Sequence, residues 1–214
     1  MNRREAIRNL GLGAGFLVVT PTIMSLLQSC KTEEAPFVPL FISKEEGHAL
    51  RRVVDLIIPS DDKVPGAVDL GIHSFIDSYW NAVISLEQQA LVKVGFGLLA
   101  DKFRSTFNKE LEAGKTEEYD QLLAKYLKST KEEQEAYDDK MTEFHSAYET
   151  EPSTLPDLDA GVYSLLSNVR SLTIWGWKNS QKIGEEVLWY DPVPGQQKGC
   201  IPLSEAGNGK VMSL

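Results

Sequence analysis

The chain has 214 residues, 42% hydrophobic and 25% charged, which is enough for one domain with a sizeable core. Its formal net charge of −9 argues against a nucleic-acid groove, because such a groove needs a basic face that displaces counterions. The two cysteines, Cys30 and Cys200, stand 170 positions apart and match no zinc, haem-attachment or disulfide-scaffold spacing.

The chain opens on basic residues and continues into an apolar run from Leu10 to Val19. That run has the length of a signal-peptide core and about half the length of a spanning helix. The adjacent Arg3 and Arg4, with Ile7, Arg8 and a glycine-diluted core behind them, are similar to a twin-arginine export signal. Gly11 to Gly15 read GLGAG, but no strand precedes them and no βαβ unit surrounds them, so they belong to the signal and not to a nucleotide loop. Leu27, Gln28 and Ser29 before Cys30 resemble a lipoprotein cleavage box, which makes Cys30 the candidate lipidation site. A Cys30–Cys200 disulfide is the alternative that an exported chain permits. Residues 1–29 are therefore assigned as signal peptide and 30–42 as a lipidated tether, polar after Cys30 and held extended by Pro36 and Pro39. The acyl chains would supply the membrane affinity, leaving the protein anchored in the cell envelope on its periplasmic side or outer surface.

Residues 43–214 read as a mainly α, single compact helical domain that closes in an aromatic, Pro-Gly-rich C-terminal segment. Ser43 with Glu46 forms a capping box, and Leu50, Val53, Val54, Ile57 and Ile58 follow at helical spacing until Pro59. The loop from Ser60 to Gly71 carries Asp61, Asp62 and Asp69. Paired carboxylates can do acid/base work, but the run lacks the ligand alternation of a calcium loop and is better read as a solvated turn. His73 is expected to be structural, and Phe75, Ile76, Tyr79, Trp80 and Val83 to form a core stripe. Ser85 with Gln88 opens a long helix whose face runs from Leu91 through Phe103 to Leu111, with Gly114 as its stop. Gly95 and Gly97 inside it are both expected at close helix contacts. Further helices are expected after Thr116, after Thr130 with Glu133, and after Asp157. Alternation of period two is nearly absent, so at most one short strand is expected, near the C-terminus.

Catalytic chemistry needs convergent titratable groups. His48, His73 and His145 fall on no common helical turn, and no H-E-x-x-H, G-x-S-x-G or P-loop occurs. Cys200 has no charged neighbour closer than Lys198 and is expected to be a small buried thiol. No catalytic, cofactor-binding or metal site is assigned.

The densest feature is the stretch from Thr173 to Leu203, which holds Trp175, Trp177 and Trp189 together with Tyr190, Pro192, Pro194, Gly195 and Cys200. Its Gly176, Trp177, Ser180, Gly184, Tyr190, Pro192, Pro194, Gly195, Gly199, Cys200 and Pro202 resemble the close of the gluconate 2-dehydrogenase subunit 3 family. The segment IIPSDDKVPGAVDLGIHSFID, Ile57 to Asp77, resembles that family's Ile-Pro-x-(Thr/Ser)-Asp and Pro-Gly-Ala signatures. Lys178 and Trp177 depart from the pattern, standing in place of an aromatic or apolar residue and of a smaller ring.

The resemblance implies a non-catalytic accessory subunit that escorts, exports and membrane-anchors a large flavoprotein of the glucose-methanol-choline type. That partner would be a sugar or polyol dehydrogenase carrying FAD, often joined by a cytochrome c subunit as electron acceptor. On this reading Arg3 and Arg4 address the complex, Cys30 anchors it, and Trp177, Trp189, Tyr190, Pro192, Pro194 and Gly195 face the partner. Ile174, Ile183, Val187 and Leu188 would then pack inward. The rival reading is a stand-alone lipoprotein module whose tryptophan cluster stacks on a sugar; a hydrolase built on Asp61 or Asp62 ranks below both.

Overall fold

The computed structural model describes residues 37–191, 195, 199–202 and 204–213. Arg3, Arg4, Cys30, Pro192 and Pro194 lie outside the described residues. Among the described residues six α-helices follow one another: α1 (Lys44–Ile57), α2 (Ile72–Ala82), α3 (Leu86–Phe107), α4 (Thr116–Leu127), α5 (Lys131–Tyr148) and α6 (Leu158–Lys178). Short 3-10 turns lie at Leu111–Ala113 and Gly207–Gly209, and a π-turn at Ile183–Val187 follows α6. The expected strand is reduced to one parallel bridge between Trp189 and Met212.

The helix starts follow from local chemistry. Ser43, Ser85 and Thr130 each accept the N–H of the third residue on, while Glu46, Gln88 and Glu133 return the bond to the cap's own N–H. Asp157 accepts from Ala160 at the start of α6. Gly71 caps α2 from the left-handed region at φ 69°, where a side chain would be strained.

The last long helix is the centre of the domain: α6 packs against each of the other five. Ala160, Gly161, Val162, Tyr163, Leu165, Leu166, Val169 and Thr173 are its buried positions, and the stripe at i, i+3, i+4 runs most of its length. Trp80, Phe96, Phe103, Tyr119 and Tyr126 fill the space around it and are almost completely buried. Full burial of a side chain such as Phe or Leu contributes about 1.5–3 kcal/mol. The two tyrosines keep their hydroxyls satisfied, Tyr119 donating to the Leu111 carbonyl at 2.6 Å and Tyr126 to Asp159.

Three expectations change. The helix after Ser85 ends at Phe107 and not at Gly114, because Asn108 takes the left-handed C-cap conformation at φ 55°. Gly114 is instead a spacer, since a Cβ there would lie 2.6 Å from both Phe103 and Tyr119. Of the two helical glycines, Gly95 abuts Leu165 whereas Gly97 faces open space. Val83, expected in the core stripe, is 64% exposed because α2 ends one residue before it.

Candidate docking surface

The aromatic stretch is divided among three settings. Trp177 is half-buried and packed against the core, and its indole N–H donates to the Pro65 carbonyl at 3.0 Å. It therefore does not point freely outward as expected. Trp189 lies over Gly207, whose φ of 55° and missing Cβ leave room for the indole ring, and its backbone pairs with Val211 and Ser213. Tyr190 is 45% exposed, and Gly195 is exposed. Of the residues expected inward, Ile183 is fully buried and Val187 and Leu188 are half-buried, but Ile174 is 42% exposed. Cys200, expected buried, is an exposed free thiol in a segment that lies beyond the helical core.

The aromatic cluster that reaches the surface is a different one. Trp175 of α6 is half-exposed and meets Phe75 and Tyr79 of α2, with ring centroids 5.5 and 6.4 Å away; Phe75 and Tyr79 are themselves 6.0 Å apart. Gly176 lets the two helices close, because a Cβ there would already stand 3.1 Å from the Phe75 ring. Phe75 and Tyr79 also pack on the core, while Trp175 and Ile174 carry the patch out to the surface. The period of α6 carries the signal. Trp177 stands four residues after the buried Thr173 and continues the inward stripe, which turns Ile174 and Trp175 outward.

The opposite side of α2 has another task. Asp77, two residues from Phe75 and from Tyr79, is almost wholly buried. Its carboxylate accepts three consecutive backbone N–H groups, from Leu40 at 2.6 Å and from Phe41 and Ile42 at 3.1 Å each. Phe37 meets the buried His73 edge to face at 4.7 Å, and Lys93 sits over the Phe41 ring. Residues 37–42 thus form a strap fastened to α2 on the side away from Trp175.

The acidic loop uses its carboxylates for its own shape. Asp61 accepts the N–H groups of Lys63 and Val64 at 2.7 and 2.8 Å, and these bonds hold its carboxyl below the ordinary value. Asp69 accepts from the Ser60 hydroxyl and the Gly66 N–H. Among the described residues no group of three or more His, Cys, Asp or Glu side chains could hold a metal ion. Through the Trp177–Pro65 bond this loop is tied to the end of α6, so two stretches 112 residues apart form one corner.

A family model described as gluconate 2-dehydrogenase subunit 3 matches residues 44–195. The chain belongs to that family. The match runs from the first residue of α1 past the π-turn, so in this gluconate 2-dehydrogenase subunit 3 family member both the Pro65 loop and the Trp175 patch lie inside the family's span. The family is named for one subunit of a dehydrogenase complex. No curated protein and no solved structure matches the chain. Among the described residues no helix is long and apolar enough to cross a membrane.

Proposed function

We propose that this chain is a non-catalytic accessory subunit that escorts, exports and anchors a flavin-dependent sugar or polyol dehydrogenase subunit. The observation that carries the reading is the aromatic patch in which Trp175, half-exposed, sits on the partly exposed Phe75 and Tyr79 at the surface of a domain of the subunit 3 family. Aromatic anchors dominate protein interfaces because they exclude water over a large area at small entropy cost. The Asp77-bound strap agrees with the anchoring half, since residues 37–42, the first that are described, are fastened to α2 on the side away from Trp175. Arg3 and Arg4 would supply the export address and Cys30 the lipid attachment. The flavin belongs to the partner, and a cytochrome c subunit would take the electrons.

The test is the double variant Tyr79→Ala, Trp175→Ala, with flavin-linked dehydrogenase activity measured in the fraction that co-purifies with the chain. Loss of a hot spot costs about 2 kcal/mol or more, equivalent to a drop in affinity of about 30-fold. Because Tyr79 also packs on the core, Trp175→Ala alone is the control whose melting temperature should barely move. A variant that keeps the flavoprotein at wild-type affinity would refute the assignment of this patch.

A further inference from the structure

A trough runs beside the patch. Its floor is the side of α6 that carries Gly161, Leu165, Asn168 and Leu172, and its walls are Leu91, Val94 and Leu98 of α3 and Met141 and Phe144 of α5. The trough encloses about 300 Å³, is open on its outer side, and is lined mostly by apolar side chains. Tyr79 closes one end and also touches Trp175, so trough and patch form one surface. At 1.5 Å per residue, Gly161 to Leu172 spans about 17 Å, or about three helical turns. An open apolar trough that follows α6 for that length suits the stripe of a helix better than a compact ligand, which is enclosed over most of its surface.

The rim charges select among helices. Between Lys131 and Glu151 the chain has eight carboxylates against two lysines. Asp138 stands three residues before Met141 on α5 and Glu149, just past the end of α5, four residues after His145, both exposed; Glu87, also exposed, stands four residues before Leu91 on the α3 wall. The neighbouring cations are engaged elsewhere: Lys93 over Phe41, Lys102 and Lys125 on Asp159, and Lys140 on Asp157. An anionic rim repels anionic lipid headgroups and a second copy of this acidic chain, and it attracts a cationic partner.

We infer that the trough receives an amphipathic helix of the partner flavoprotein, with its apolar stripe on α6 and lysines or arginines along its flanks. The inference rests on the accessory-subunit reading and adds to it the shape and charge of the segment that docks. The test places a photo-crosslinking residue at Val94 in the full chain, isolates the complex with its flavoprotein intact, and sequences the cross-linked peptide. The expected product joins Val94 to one flavoprotein segment with apolar residues at i, i+3, i+4 and i+7 and basic residues beside them. Asp138→Lys with Glu149→Lys should lower the cross-link yield about tenfold at low salt, with an unchanged melting temperature. An intact flavoprotein complex that leaves Val94 unreacted, or joins it to lipid, to another copy of the chain or to an acidic segment, overturns the docked helix while leaving the accessory role standing. Recovery of the chain without any flavoprotein overturns both.

Discussion

Replacing Asp77 with alanine removes the one carboxylate on which three successive backbone N–H groups of the strap converge. A hydrogen bond to a charged acceptor contributes about 1.5–3 kcal/mol, and a buried donor left without one costs a similar amount. Only the Ile42 bond is fully buried; those of Leu40 and Phe41 are partly open to water. Counting the first in full and the other two at half weight gives about 3–6 kcal/mol. For a domain of this size that lowers the melting temperature by about 6–24 °C. Asp77→Asn keeps one oxygen for Phe41 and Ile42 but sets an amide N–H against that of Leu40, so it should cost about 1–3 kcal/mol. Thermal unfolding followed by far-ultraviolet circular dichroism gives the ranking. Amide hydrogen exchange at Leu40, Phe41 and Ile42 localises the loss, because those three amides should open first. An alanine variant within about 1 kcal/mol of wild type, with the strap amides still protected, would refute the reasoning.

Two glycines separate space from propensity: Gly97→Ala, with nothing near its new methyl, should stabilise by about 0.5–1 kcal/mol. Gly114→Ala would drive its methyl to 2.6 Å from the buried Phe103 and Tyr119 rings, costing about 1–3 kcal/mol. Urea midpoints of opposite sign are expected, and midpoints of one sign would contradict the packing described. The Asp159 carboxylate is opposed by partial burial, yet hydrogen bonds from Lys102, Tyr126 and Lys125 outweigh that and hold its carboxyl well below the ordinary value. Its side chain is 38% exposed, so solvent screening limits the cost of Asp159→Asn to about 1 kcal/mol at neutral pH. Because the folded pKa is depressed, this margin is in place above about pH 4 and shrinks as pH falls below it. Urea unfolding of both proteins at neutral pH and near pH 3 checks the sign; a margin that grows on acidification would be inconsistent with it.

What the sequence makes legible is what is local. The boxes at Ser43, Ser85 and Thr130 and the cap at Asp157 each satisfy donors within three residues, so neighbouring letters suffice to place them. The apolar stripes of α1, α4 and α6 follow for the same reason. Burial of the aromatic stretch is a matter of helical phase across a long element. Taken as a cluster, Trp175 and Trp177 look alike; taken at 100° per residue, they fall on different faces of α6, one against Phe75 and Tyr79 and the other against Pro65. Asp77 is a single acid within an apolar stripe, and the three amides that need it lie at least 35 residues earlier, so no local pattern announces the strap. The exposure of Cys200 likewise depends on where a segment rich in Pro and Gly settles, which composition does not encode.

The central claim is that this chain carries a flavoprotein dehydrogenase out of the cytoplasm. The most direct measurement compares flavin-linked sugar dehydrogenase activity in envelope and cytoplasmic fractions of cells expressing the wild-type chain or the variant Arg3→Lys, Arg4→Lys, each with its flavoprotein. The account predicts that the variant leaves the activity in the cytoplasm, still bound to the chain through the intact Trp175 surface. Activity reaching the envelope equally well in both strains would contradict it.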